Sequence, residues 1–159
     1  YTGWYTLSLH DALPICQPDM AFKVSQGVTT VVTGNCGISA APLPAGVPLP
    51  MPLSLMGSSG HGPFPAFTDY LDALRAAPPA VNVAALVGHT ALRVGCMASV
   101  DRPATNAEAD AMRAQLQAAL QAGAIGLSTG TAYPPAMAAT TEEIIAVGQP
   151  LGADRKSVV

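Results

Sequence analysis

Apolar positions along this chain follow two rhythms that alternate. Runs rich in apolar and β-branched residues fill residues 28–33, 81–87 and 124–128, and between them apolar residues recur three or four apart. A continuous Val/Thr run suits a strand covered on both faces of a parallel sheet, and the longer spacing suits a helix packed on that sheet. Residues 18–27 read as the end of a helix closed by Gly27. Thr68 is placed to cap a helix over 69–75, with Asp69 and Asp72 near its start and Pro78-Pro79 beyond its end. Thr105-Asn106-Ala107-Glu108 is a capping box for a helix reaching Gln121, whose Met112, Leu116, Ala119 and Leu120 share a stripe. A second box, Thr140 to Glu143, opens a helix over 144–147.

Residues 40–67 break both rhythms. Pro42, Pro44, Pro48, Pro50 and Pro52 precede a Gly/Ser-rich stretch, so this reads as a long loop leaving the carboxyl end of the first strand. One strand per helix implies a parallel sheet in an α/β fold. A part of a TIM-type (β/α)8 barrel has this pattern, and an open doubly wound sheet has it too.

The two ends read differently from the middle. His10-Asp11-Ala12-Leu13-Pro14-Ile15 can be encoded by CACGACGCTCTTCCGATC, whose opposite strand translates as Asp154-Arg155-Lys156-Ser157-Val158-Val159. That DNA also matches a sequencing-library adapter, with Tyr5 to Leu9 as its upstream portion. Residues 1–15 and 154–159 are therefore expected to be foreign, leaving 16–153 as a partial domain that includes the 40–67 loop.

Composition narrows the class. Half the chain is hydrophobic, 11% is charged and the formal net charge is -3. No basic cluster suits nucleic acid or a membrane surface, and neither is expected as a partner. No apolar run approaches the roughly 20 residues of a membrane-spanning helix. Three cysteines without paired spacing suit a reducing, cytoplasmic setting better than a disulfide framework.

Candidate chemistry gathers where apolar runs stop, since parallel sheets keep their ligands at the carboxyl ends of strands. Cys36 stands in Gly34-Asn35-Cys36-Gly37, just after the first run. Three roles suit it: a metal thiolate, a nucleophile with His89 as base, or a small buried hydrophobe. His89 ends the second run, and Arg93 follows within a helical turn as a possible carboxylate binder. Tyr133, ahead of Pro134-Pro135, is a phenol on a stiff backbone near the end of the third run. Gly126-Leu127-Ser128-Thr129-Gly130 lacks the lysine of a phosphate-binding P-loop.

Taken in order, Gly34-Asn35-Cys36-Gly37-Ile38-Ser39, the stretch Val81-Asn82-Val83-Ala84-Ala85-Leu86-Val87-Gly88-His89-Thr90-Ala91-Leu92-Arg93 and Gly126-Leu127-Ser128-Thr129-Gly130-Thr131-Ala132-Tyr133-Pro134-Pro135 resemble the N-acyl-D-amino-acid deacylase (D-aminoacylase) family of metal-dependent amidohydrolases. Phe67-Thr68-Asp69-Tyr70-Leu71-Asp72-Ala73-Leu74 and Lys23-Val24-Ser25-Gln26-Gly27-Val28-Thr29-Thr30 match as well. The resemblance implies a TIM-type barrel, of which this chain supplies roughly strands two to four with their helices. It implies Zn2+ as cofactor with Cys36 as a ligand, and a small N-acyl-D-amino acid as substrate with Tyr133 at its carboxylate. His89 and Arg93 match recurring positions and are candidate substrate-binding residues. No catalytic residue is expected in this chain: the family's His-x-His motif belongs upstream, and its later histidines and catalytic aspartate belong downstream. The chain alone is therefore expected to be inactive. Three other readings fit the residues: an amidohydrolase acting on a cyclic amide, a cysteine hydrolase using Cys36 and His89, and a non-catalytic α/β binding module.

Overall fold

The computed structural model describes residues 13–46, 48–57 and 63–154, so most of both expected foreign segments, 1–12 and 155–159, lies outside the described residues. The chain enters through two single-turn helices, α1 (Leu13–Cys16) and α2 (Ala21–Val24), and Gly27 with φ 77° turns it into β1 (Thr30–Thr33). Ile15, in the stretch read as foreign, packs into the hydrophobic core. After the long loop, which holds the short helix α3 (Ser54–Gly57), come α4 (Phe67–Ala76), β2 (Asn82–Ala85), β3 (Val87–Gly88) and α5 (His89–Cys96). Helix α6 (Asn106–Ala122), β4 (Leu127–Ser128) and α7 (Thr141–Asp154) complete the order.

Strands β2 and β3 form one path that changes partner at Leu86. Thr30 to Thr33 pair in parallel with Asn82 to Ala85, and Val87 and Gly88 pair in parallel with Leu127 and Ser128. The Leu86 amide donates to the Thr33 carbonyl at 2.9 Å, and the Val87 amide turns the other way to the Gly126 carbonyl at 2.9 Å. Each strand thus meets the next displaced along its length, the stagger that a closing sheet requires. Strand order follows the chain without reversal, so right-handed crossovers carry the helices to a single face. There α4 packs on α6 and α6 on α7. This is one arc of a barrel wall, and the doubly wound alternative, with helices on both faces, is not what forms.

Local signals set some elements and packing overrides others. Thr105 caps α6 as expected: its hydroxyl accepts from the Glu108 amide, and Glu108 accepts from the Thr105 amide at 2.8 Å. Gly123, with φ 120°, closes that helix. Helix α4 instead starts ahead of Thr68, because Asp69 Oδ2 accepts from the Ala66 amide at 3.0 Å and so caps the turn from within. No helix was expected over 89–96; α5 forms there because its whole first half, His89 to Leu92 and Arg93, is buried. Conversely, β1 is not covered on both faces: Val32 is 45% exposed, since β2 is its sole strand partner among the described residues.

The core lies between the sheet and the helices. Val87, Leu92, Met112, Leu116, Leu127 and Val147 are fully buried in it. The 40–67 loop is pinned to the same core by Leu43 and Leu53, and its two ends are joined by the Leu43 amide donating to Phe64 (2.8 Å) and the Phe64 amide donating to Ala40 (2.9 Å). Leu116→Ala is expected to lower unfolding stability by about 2–5 kcal/mol, because the surrounding helices cannot collapse into the space. Ile145→Ala, on a side chain 64% exposed, is expected to change it by less than about 0.5 kcal/mol. Urea denaturation of the two variants beside the parent measures both.

Candidate functional site

Directly after β1 the chain makes a 3-10 turn, Asn35–Gly37, in which Gly34 (φ 81°), Cys36 (φ 58°) and Gly37 (φ 78°) all take left-handed backbone. For cysteine that conformation costs on the order of 1–3 kcal/mol and persists only where neighbours enforce it. The neighbours are main-chain atoms at the ends of the adjacent strands. A methyl group on Gly34 would lie 2.1 Å from the Leu86 carbonyl oxygen, one on Gly88 2.3 Å from that of Gly37, and one on Gly130 2.2 Å from that of Cys36. Glycine at each of these places lets the backbones touch.

Two buried serines lock the contact. The Ser128 hydroxyl accepts from the Gly37 amide at 2.9 Å and donates to the Gly34 carbonyl. The Ser39 hydroxyl accepts from the Gly88 amide at 2.9 Å and donates to the Ala41 carbonyl at 2.8 Å. Neither serine stands out in the sequence as a site residue. Their one signal is position, each within a few residues of a strand's carboxyl end.

Cys36 is thereby held half-buried with a free thiol at the carboxyl end of the sheet. A thiolate is a good zinc donor, but structural and catalytic zinc sites take about three or four protein ligands. Among the described residues no group of three or more His, Cys, Asp or Glu side chains converges to hold a metal ion. This segment fits zinc as the source of one ligand.

Tyr133 lies next to it. The 3-10 turn Pro134–Ala136 follows it, and the Ala136 amide donates to the Tyr133 carbonyl at 2.9 Å. Gly130 separates the two candidate residues: the methyl group it lacks would meet the Cys36 carbonyl on one side and the Tyr133 ring, at 3.2 Å, on the other. The structure therefore brings Cys36 and Tyr133 to one mouth.

His89 and Arg93 lie behind that mouth. Both are fully buried. Arg93 donates from Nε to the Pro135 carbonyl (2.8 Å), from one terminal nitrogen to Glu143, and from the other to the carbonyls of Val100 (2.9 Å) and Arg102 (2.7 Å). His89 Nε2 meets Glu143 Oε1 at 3.1 Å and its Nδ1 meets Thr129 Oγ1 at 3.3 Å. Neither of these two expected substrate contacts has exposed surface in this structure, and both side chains are turned to protein partners. The cysteine-hydrolase reading loses its base for the same reason, since both His89 nitrogens point to Glu143 and Thr129.

Glu143 is the residue the sequence reading missed in this role. Its amide donates to Thr140 Oγ1 at 3.2 Å, half of the expected capping box, but its carboxylate does not turn back to Thr140. Arg93, His89 and the Ala104 amide, at 2.8 Å, claim it instead. A buried guanidinium needs a countercharge more than a helix end needs a second cap. Burial pushes the Glu143 carboxyl up, yet the hydrogen bonds from Arg93 and Ala104 outweigh it and hold the group below its ordinary 4.5. For His89, burial is the largest effect and, with the Arg93 charge, lowers the ring below its ordinary 6.5 against the pull of Glu143.

No family model matches the chain. It is 58% identical over 141 residues to an N-acyl-D-aspartate deacylase of Alcaligenes xylosoxydans xylosoxydans, which covers 89% of this chain and 28% of that protein. Among solved structures, a D-aminoacylase with a binuclear metal centre superposes with a TM-score of 0.87 at 52% identity, over 93% of this chain and 31% of the other. An N-acyl-D-glutamate deacylase from Bordetella bronchiseptica, complexed with zinc and a phosphonate mimic of the tetrahedral intermediate, superposes with a TM-score of 0.86 at 42% identity, over 93% and 31%. The chain thus spans about three-tenths of the length of the proteins it matches.

The buried cluster carries a pH signature. Both His89 and Glu143 bind protons less readily folded than unfolded, so the unfolded chain takes up protons first and acidification destabilises the fold. Stability is expected to be whole above pH 6.5, to fall as pH drops through that value, and to fall again below 4.5. Urea midpoints across that range measure it, and His89→Gln should remove the upper step while leaving the lower one.

Proposed function

We propose that this chain, whose sequence and fold are those of a segment of a D-aminoacylase-type amidohydrolase, contributes one metal ligand and one substrate-binding group to an enzyme that removes the acyl group from N-acyl-D-amino acids. The supporting observation is Cys36, held left-handed at the carboxyl end of β1 with Tyr133 across Gly130 beside it. In this reading Cys36 is a zinc ligand, and the Tyr133 phenol donates a hydrogen bond to the substrate carboxylate. His89 and Arg93 support that mouth from behind. Residues 1–15 and 154–159 are read as foreign to the enzyme, and 16–153 as part of its barrel domain.

Zinc, when bound, polarises the acyl carbonyl and brings the pKa of a bound water to about 7. The chain's own part is preorganisation. The glycine contacts and the two serines hold Cys36 in a fixed direction, so the ligand loses little freedom when metal arrives. Tyr133 orients the substrate by its carboxylate, a charge that both the N-acyl amino acid and the product D-amino acid retain. Hydrolysis releases the acyl group as a carboxylate. Relatives that share this segment include deacylases of N-acyl-D-aspartate and N-acyl-D-glutamate, which favours that substrate class over cyclic amides. A reducing cytoplasm is in keeping with cysteines that form no disulfide among the described residues.

With one ligand, the chain alone is expected to bind zinc poorly and to turn nothing over. The direct test exchanges residues 17–152 for the matching segment of the Alcaligenes N-acyl-D-aspartate deacylase. The exchanged enzyme is expected to hydrolyse N-acetyl-D-aspartate with zinc. Cys36→Ala should lower its kcat/KM by about 100-fold or more and reduce bound zinc by mass spectrometry. Tyr133→Phe should act chiefly on KM. A soluble exchanged enzyme without activity, or one indifferent to Cys36→Ala, would overturn the proposal.

A further inference from the structure

Residues 129–135 form the arm that carries Tyr133 over Gly130 and the Cys36 turn. Its first residue is held by His89, through Thr129 Oγ1 at 3.3 Å. Its last is held by Arg93, whose Nε donates to the Pro135 carbonyl at 2.8 Å. Both holders converge on one carboxylate oxygen, Glu143 Oε1. The other oxygen, Oε2, takes the Ala104 amide at 2.8 Å and ties the pair to the loop ahead of α6.

We propose that Glu143 is a positioning residue of the site: from α7, through His89 and Arg93, it clamps both ends of the 129–135 arm and so sets the height of Tyr133 above Cys36. This rests on the reading of Tyr133 as the substrate-carboxylate donor, and it adds a residue to that reading which contacts neither substrate nor metal.

The arm's own bonds are weak substitutes. Between Gly130 and Tyr133 there is a long amide contact of 3.4 Å, and the 3-10 turn after Tyr133 has bonds of 2.9 and 3.3 Å. These shape the turn but do not join it to the sheet. Ser128 joins the sheet end to the Cys36 turn, yet it lies before the arm begins. The tie at Pro135 comes from a guanidinium whose orientation depends on Glu143. A fully buried arginine keeps one geometry only while its charge is matched, so weakening the carboxylate loosens what the arginine holds.

Two measurements decide it. In the present chain with Cys16 and Cys96 changed to serine, iodoacetamide alkylation of Cys36 reports how closely the arm covers the turn. Glu143→Gln is expected to raise that rate about fivefold or more by opening the arm locally. Thr129→Val, which cuts one tie without touching a charge, should raise it less, and the double variant should fall short of the product of the two effects.

In the segment-exchanged deacylase, Glu143→Gln should raise KM for N-acetyl-D-aspartate with little change in kcat or bound zinc. Combined with Tyr133→Phe it should add almost nothing. An unchanged alkylation rate in folded Glu143→Gln chain, or KM effects of Glu143→Gln and Tyr133→Phe that multiply independently, would overturn the clamp. If the exchanged enzyme without further substitution is inactive, the deacylase reading fails, and the alkylation rates still decide the clamp.

Discussion

The site depends on how closely three strand ends can approach. Cys36 takes left-handed backbone because main chain presses on it from two sides, and main chain can press that closely only where glycine stands. Gly34 against Leu86, Gly88 against Gly37 and Gly130 against Cys36 are each spaced so that one methyl group would collide with a carbonyl oxygen. The hydroxyls of Ser39 and Ser128 then satisfy the amides and carbonyls that such crowding removes from water. The strain at Cys36 is thus held by contacts among β1, β3 and β4 together, and no single strand could hold it. In the sequence Cys36 stands out only as a cysteine in a turn; its direction is a property of the three strands.

Behind that layer lies a second, electrostatic one. Arg93, His89 and Glu143 share a buried space, and there the Arg93 charge is matched by Glu143. Such a cluster adds little net stability compared with apolar packing of the same volume, because desolvation opposes the attraction. What it supplies is direction. Hydrogen bonds tie these groups to Thr129, Pro135, Val100, Arg102 and Ala104, fixing the segments that connect the longer elements. The two layers meet at Gly130, in front of the ion cluster and against the Cys36 turn. Cys36 and Tyr133 therefore lie side by side across Gly130, although they come from segments far apart in the chain.

Much of the framework was legible locally. The capping box at Thr105, the stripe through Met112 and Leu116 and the closing Gly123 are short-range signals, and α6 follows them within a residue. The capping box at Thr140 was legible too, but half of it was taken over when Glu143 turned to Arg93. Helix α5 was not legible, because its residues are unremarkable helix formers and its order comes from burial of His89 through Arg93. Burial of β1 on both faces was an over-reading, since the Val/Thr run records a fit to neighbours that the described chain does not supply.

By itself, the sequence determined the alternation of strand and helix, the helix that caps and closes itself, and the residue types at each strand's carboxyl end. Those depend on neighbours a few positions apart, so they can be read along the chain. Tertiary structure alone decided which side those residues face. It showed Cys36 and Tyr133 half-buried on either side of Gly130, and it put His89 and Arg93 behind them with Glu143. The reason is that exposure and charge pairing are set by contacts between segments about 50 residues apart, such as Arg93 with Glu143. No local pattern carries that information.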